Sequence, residues 1–467
     1  MDQRILSQDG RELIVAGATI AKLAARLKGD LLSAEHPAYD SSRRVWNGMI
    51  DKRPALVARC TGAADVVECV RFAREHELLV SVRGGGHNYA GKSVCDGGLM
   101  IDLSPMKGIR VDPTRRIAQA QPGLRLGEFD HETQAFGLAT TLGVNTDTGI
   151  AGLTLGGGYG WLGGQFGLAC DNLLAADVVT ADGRLLHASD TENDDLLWGL
   201  RGAGANLGIV TSFEYKLHPV GPVVGGIVIY PFTQARAVLR SYDEFSRSCP
   251  DEVSTIALIL TTPTGERGVA IAACYSGSVE RGEAILAPLM RFGAPIFSDI
   301  RVQPYVEMQT LFDPALPPGR LYYLKSALVR DLGEAAIDVY IDQSATMPTP
   351  LTSIFFQQLH GAASRVGIAE TAFPHRFDHY SFYVHPATDD PAEMDKIMRW
   401  GRKCWDAAQP FVERAVYVNA MEDTVGGNEQ SVRAAYGFNY ERVAAVKQRY
   451  DPTNLLRGNQ NISPGGG

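Results

Sequence analysis

The run Val-Arg-Gly-Gly-Gly-His-Asn-Tyr-Ala-Gly at positions 82–91 limits most strongly what this chain can become. Just before it, residues 77–82 read Glu-Leu-Leu-Val-Ser-Val, an apolar, valine-rich stretch that predicts a short buried strand. Three consecutive glycines then permit backbone angles closed to other residues and leave their amides bare to a close ligand. Gly84, Gly85 and Gly86 are therefore expected to cradle an anion, phosphate by preference. His87 and Asn88 follow at once, so an imidazole stands beside whatever the glycines hold. Such a histidine could ligate a metal, move protons or form a covalent bond. The bland alternative is a glycine turn beside an incidental histidine.

Residues 53–60 read as a strand, and residues 64–74 carry apolar positions at i, i+3 and i+4, which predicts a helix. A β-α-β unit would thus deliver His87. A second glycine-rich region spans 141–164 and includes Thr148, Gly149, Gly152, Gly157, Gly158 and Gly160. It contains a literal G-x-G-x-x-G at Gly158, Gly160 and Gly163, with Asp182 about twenty residues on. A dinucleotide fingerprint needs a buried strand before its first glycine and a long helix after its last. Here glycines fill the preceding residues and 165–168 is too short a helix, so that reading is rejected. Neither loop is closed by Lys-Ser or Lys-Thr, which argues against a P-loop. A third stretch, 194–213, reads as helix, glycine turn and strand, and carries Gly208, Ile209 and Val210.

The run 83–91, followed by Cys-Asp-Gly-Gly-Leu-Met-Ile-Asp-Leu at 95–103, resembles the flavin loop of the berberine-bridge-enzyme-like FAD-linked oxidases, within the vanillyl-alcohol-oxidase superfamily. The second and third glycine motifs and the tail from Ala415 to Ile462 resemble the same family in the same order, covering roughly 40–215 and 411–462. The resemblance implies an α+β protein. A two-subdomain PCMH-type FAD-binding domain would occupy 1–216, an α+β substrate domain with an antiparallel sheet 217–410, and a segment returning to the FAD domain 411–467. It implies FAD as cofactor, joined covalently to His87 through the flavin 8α-methyl carbon. Val82, Arg83, Gly84, Gly85, Gly86, Asn88 and Gly91 would contact it from the first loop. The six residues named in the second loop would do so from the other side, Thr148 at the position of oxygen access. Gly208, Ile209 and Val210 would meet the adenine end. Tyr417 and Asn419 would lie near the ring, and Asn459 and Asn461 near the cofactor. Asn145 stands where doubly linked members carry a cysteine, so a single link is expected. Ala420 stands where many members carry a catalytic tyrosine, so the usual base is missing.

With 467 residues, 45% of them hydrophobic, the chain can bury cores for two or three domains, and its charge of −9 argues against an extended nucleic-acid partner. Seven scattered cysteines without a C-x-x-C pair indicate neither a disulfide framework nor a zinc site. No apolar run has signal-peptide or membrane-spanning length, and a cytoplasmic protein without a membrane partner is expected. After a proline- and glycine-punctuated linker at 217–225, strand-like runs alternate with amphipathic helices. In the run 321–329, Lys325 shares a face with Tyr323 and Ala327 and is a candidate catalytic group. The edge-strand alternative places its ammonium in solvent. Glu370 is a weaker candidate, while His375 reads as structural, and His360 and His379 show no ligand spacing. Tyr322, Tyr323, Phe355, Phe356, Phe382 and Tyr383 would suit an aromatic or polyketide substrate. The expected activity is that of an FAD-dependent oxidase taking hydride from a small organic molecule and passing electrons to dioxygen. The alternatives are a flavin dehydrogenase or oxygenase of secondary metabolism, or a flavoprotein that has lost its chemistry.

Overall fold

The computed structural model describes residues 1–422 and 429–465. The apolar run before the glycine loop forms the strand Val80–Arg83, laid parallel to Leu99–Asp102, which is parallel in turn to Leu56–Arg59. Asp30–Leu32 completes this first sheet along the other edge of Leu56–Arg59. The helix Ala63–Glu75 carries the chain from Leu56–Arg59 across to Val80–Arg83, which flank Leu99–Asp102 on either side, and buries Val66, Cys69, Val70 and Ala73 in the core it shares with the sheet. The strand ends at Arg83, and the chain turns through Gly86 at φ +74°.

A second sheet of five strands, wholly antiparallel, runs Leu185–Ser189, Leu173–Val179, Ile209–Lys216, Ile117–Ala120, Ile109–Asp112 in spatial order. Between its strands lies the second glycine region. The helix Ile150–Leu155, not a strand, precedes Gly158, and the helix Gly163–Phe166 after it is only four residues long. The dinucleotide fingerprint is thus a coincidence of letters. Helix Asp194–Ala203 and the tail helices Glu429–Tyr436 and Tyr440–Tyr450 close over this sheet in one core containing Leu197, Leu200, Phe213, Tyr436 and Val443. The tail therefore returns to the first half of the chain. Its last helix stops before Pro452, where the buried Asp451 accepts from Lys447 Nζ at 2.6 Å and from the amides of Leu455 and Leu456.

The third sheet has seven antiparallel strands in the order Phe297–Gln303, Val223–Pro231, Arg267–Tyr275, Val253–Thr261, Ser353–Leu359, His379–His385, Lys325–Val329. Helices Ala235–Ser246, Glu334–Ser344 and Met394–Ala408 bury one face, with Ala257, Ile259, Phe356, Phe382 and Val384 pointing into that layer. Alternate residues point the other way. The 217–225 linker is shorter than its composition suggests, because the sheet already begins at Val223 and His218–Pro219 pairs with Leu138–Ala139.

The run 321–329 is not one strand. Leu321–Tyr322 pairs with Ala387–Thr388 in a separate ribbon, and only Lys325–Val329 joins the large sheet. Lys325 stands opposite Val384 and Ala327 opposite Phe382, so their shared face is the helix-covered one. Among the described residues no helix is long and apolar enough to cross a membrane.

The two glycine loops meet backbone to backbone. A Cβ on Gly85 would lie 2.4 Å from Gly149 Cα, and one on Gly149 would lie 2.5 Å from Gly85 Cα. Gly85→Ala and Gly149→Ala should each lower stability by about 1–3 kcal/mol through overpacking, read as a fall in melting temperature. A variant that melts with the parent protein would contradict this contact.

Candidate functional site

A cavity of about 650 Å³ lies between the two glycine loops, the tail and the uncovered face of the third sheet. Val82, Gly84, Gly85, Gly86, His87 and Asn88 line it from the first loop, and Thr148, Gly149 and Gly152 from the second. Tyr417, Asn419 and Asn459 join from the tail. Arg83, Gly91, Gly157, Gly158, Gly160 and Asn461 lie outside the lining. Arg83 Nε is 3.9 Å from Asp102, and Gly160 packs so close to Leu142 O that a Cβ would come within 1.8 Å of it.

The ring of His87 stacks on Trp46, with centroids 4.5 Å apart and planes 24° from parallel. Its Nε2 is 3.4 Å from Asp147 Oδ2 but forms no hydrogen bond there. Burial pushes the imidazole below its ordinary pKa, with Asp147 pulling the other way. Burial would raise Asp147 in turn, but His87 and the paired Arg125 guanidinium outweigh it and hold the carboxyl below its usual value. The result is a neutral imidazole beside an anionic carboxylate. Trp46 stacks in turn on Tyr322 at 4.0 Å. Sequence reasoning passed over Trp46, Arg125 and Asp147, because no local pattern shows that they converge on His87.

Tyr417 Oη accepts from the Gly158 amide at 2.9 Å and from Asn419 Nδ2 at 2.8 Å, and Asn419 also donates to Leu153 O. Burial drives the Tyr417 phenol well above its ordinary pKa, so it stays protonated. The ring lies on that of Tyr159 at 4.3 Å. His379 Nδ1 is 2.6 Å from Phe377 O and must donate to it, which leaves Nε2 to accept from Tyr159 Oη at 3.1 Å. A Cβ on Gly156 would strike the Asn419 amide at 2.1 Å, so glycine is required there. His375 donates Nε2–H to Val416 O at 3.0 Å, a structural role.

The two other candidate catalytic residues stand apart from the cavity. Lys325 forms an ion pair with Glu422, while its neighbour Ser326 donates to Ala420 O at 2.7 Å from the opposite face of the strand. Glu370 is exposed and accepts from the Gly367 amide at 3.1 Å within its own turn. Of the aromatic residues proposed for a substrate surface, Phe355 and Tyr383 line the cavity, whereas Phe356 and Phe382 belong to the helix-covered core. Tyr322 packs on Trp46, and Tyr323 lies against Gly401.

At the far end, Ala203, Ala205, Asn206, Tyr436, Gly458 and Gln460 form the wall, while Gly208, Ile209 and Val210 sit outside the lining. Asn459 Nδ2 donates to Ala205 O at 2.6 Å, tying tail to turn. Within the third glycine motif the cavity is met a few residues earlier than the resemblance implies, because Ile209 already begins a strand.

Several buried polar atoms of lining residues have no partner among the described residues: His87 Nε2, Ser93 Oγ, Asn145 Nδ2, Asn459 Oδ1 and Gln460 Nε2. Such atoms are costly unless a ligand or water satisfies them. Together with the glycine cradle they suit a long, polar, phosphate-bearing ligand, and FAD fits that description. Among the described residues no cluster of His, Cys, Asp or Glu could hold a metal ion.

The FAD binding domain family matches residues 54–189, and the berberine and berberine-like family matches residues 416–463. An FAD-linked oxidoreductase of Dictyostelium discoideum is 33% identical, over 90% of this chain and 91% of its own. (R)-6-hydroxynicotine oxidase of Paenarthrobacter nicotinovorans is 29% identical over 96% of this chain and 99% of its own. The crystal structure of 6-hydroxy-D-nicotine oxidase from Arthrobacter nicotinovorans superposes with a TM-score of 0.86 at 26% identity, covering 94% of this chain and 98% of that one.

Burial pushes His375 and His385 down to about 4 and His379 to about 3. Each folded value lies below the ordinary 6.5, so the unfolded chain binds more protons whenever the pH is under 6.5. Their contribution is intact above that pH and is lost as pH falls toward 4. At pH 5 each should cost about 2 kcal/mol. The melting temperature should therefore drop steeply between pH 7 and 5, and less steeply in His379→Gln. An unchanged slope in that variant would contradict the assignment.

Proposed function

Since the chain belongs to the FAD-linked oxidoreductases with a berberine-like C-terminal segment, we propose that it is an FAD-dependent oxidase with its flavin attached through His87. It would take hydride from a small organic substrate, aromatic or natural-product-like, and pass the electrons to dioxygen. The observation that carries the reading is the imidazole of His87: largely enclosed, neutral, its buried Nε2 without a hydrogen-bond partner, and next to the glycine loops.

When bound, FAD supplies a two-electron acceptor that dioxygen can reoxidise. The chain's own residues do the rest. Gly85 and Gly149 let the two loop backbones touch each other where side chains would hold them apart, and so set the groove in which the ligand would lie. A histidine must be neutral to act as a nucleophile; burial keeps His87 so, and Asp147, 3.4 Å away, is placed to receive a ring proton. Arg125 holds that carboxylate ionised. Tyr417 and Asn419 act as positioning residues, fixing the tail against Gly158 and Leu153 beside the cavity. Asn459 Oδ1 and Gln460 Nε2, both without a partner among the described residues, present polar groups at the far end, suited to the nucleotide portion. The uncovered face of the third sheet closes the cavity above, where a substrate would lie shielded from water.

The purified protein should be yellow, and acid precipitation should leave the colour in the pellet. His87→Ala should release any colour into the supernatant. With a competent substrate, oxygen uptake should be matched by an equal amount of hydrogen peroxide. A colourless protein, or one whose flavin is bleached by substrate yet not reoxidised by air, would contradict the oxidase reading.

A further inference from the structure

The third sheet shows the cavity an ordered row of side chains. Ile256, Leu258 and Leu260 face it from Val253–Thr261, Ser353, Phe355 and Gln357 from the next strand, and Tyr383 and His385 from the one after. The register fixes their order. Gln357 stands opposite Ser381, Phe355 opposite Tyr383, and Ser353 opposite His385. An aromatic pair, stacked with centroids 4.3 Å apart, therefore lies midway between two polar positions. Four residues of strand separate those positions, roughly 13 Å.

Both polar ends hold unused hydrogen-bonding capacity. Gln357 is 9% exposed, yet its amide has no partner among the described residues. His385, 2% exposed, is kept neutral by burial and shares one ring nitrogen, Nε2, with Tyr89 Oη at 3.3 Å. Whichever tautomer that contact selects, Nδ1 is left to serve a ligand. Among the described residues no carboxylate lines the cavity. Arg320, which does, is already engaged by Asp389 at 2.9 Å and by Ala315 O, and Lys92 is likewise not free. A charged substrate would thus be buried without a counter-ion, at a cost of several kcal/mol.

We propose that this ceiling selects an elongated, uncharged aromatic substrate with an oxygen function at each end, and that Gln357 and His385 are its specificity-determining residues. The aromatic mid-section would lie along Phe355 and Tyr383, one oxygen meeting the Gln357 amide and the other His385 Nδ1. The proposal rests on the reading of this cavity as the flavin and substrate site.

The test uses the purified holoprotein at neutral pH and calorimetric titration with 4,4′-dihydroxybiphenyl, 4-hydroxybiphenyl and 4′-hydroxybiphenyl-4-carboxylate. The dihydroxy compound should bind about tenfold more tightly than the monohydroxy one, the worth of one additional satisfied hydrogen bond in a buried site. The carboxylate should bind more weakly than either. Gln357→Met and His385→Phe should each remove the tenfold preference. Equal affinities for the two neutral probes in the parent protein, tighter binding of the carboxylate, or no binding of any probe would overturn the proposal. Should a variant fail to fold, the ratio in the parent protein decides alone. The visible spectrum of the same samples separates the two failures. A yellow protein without the preference sinks only the selectivity, whereas a colourless one sinks the oxidase reading beneath it.

Discussion

Everything around the cavity depends on two backbones touching where neither can carry a side chain. Gly85 and Gly149 approach so closely that a Cβ on either would overlap the other. That contact joins the end of a parallel strand to the start of a short helix from the second sheet. Because of it, His87 and Asp147 come within 3.4 Å of one another although they are sixty residues apart in the chain. Bare amides also line a common groove there. Glycine loses more conformational freedom on folding than any other residue, and its concentration in these two loops is explained by the approach it permits.

The tail uses the same device a second time. Gly156 leaves room for the Asn419 amide, and the Gly158 amide donates to Tyr417 Oη. A C-terminal segment folded against the first half of the chain thereby becomes one wall of the site. Its anchorage lies further on, where Tyr450 Oη donates to Asp195 at 2.7 Å and the Ile462 amide donates to Asn206 Oδ1 at 2.9 Å. The third sheet contributes the remaining wall for an elementary reason. A sheet covered by helices on one face still has another, and strand alternation sends every second residue toward it. Phe355, Gln357, Tyr383 and His385 face the cavity, while Phe356, Phe382 and Val384 build the core behind.

What could be read from the sequence was what is local. The glycine loops, the strand before His87, the crossover helix and the helix stop at Asp451-Pro452 each announce themselves within a dozen residues. The rejection of a dinucleotide fingerprint at Gly158 likewise needed only its flanks. Long-range convergence was hidden. Trp46 under His87, Asp147 beside it and His385 against Tyr89 are brought together by topology, and no spacing in the chain reports it. Lys325 illustrates the limit well. Its parity with Ala327 was correct, but parity cannot say which face meets a cavity, and the break at Tyr323 and Leu324 puts Tyr322 in another sheet. The far end of the cavity is similar: the third motif meets it at Ala203, Ala205 and Asn206, while Ile209 and Val210 lie in the cores to either side.

Attachment of the flavin to His87 is decided by peptide mass mapping. The protein would be denatured, digested with a protease, and the peptide containing His87 weighed and fragmented. This peptide should carry the added mass of FAD, with fragment ions placing it on His87, and the peptide containing Asn145 should be unmodified. An unmodified His87 peptide from a yellow preparation, or a flavin found on any other residue, would contradict that attachment.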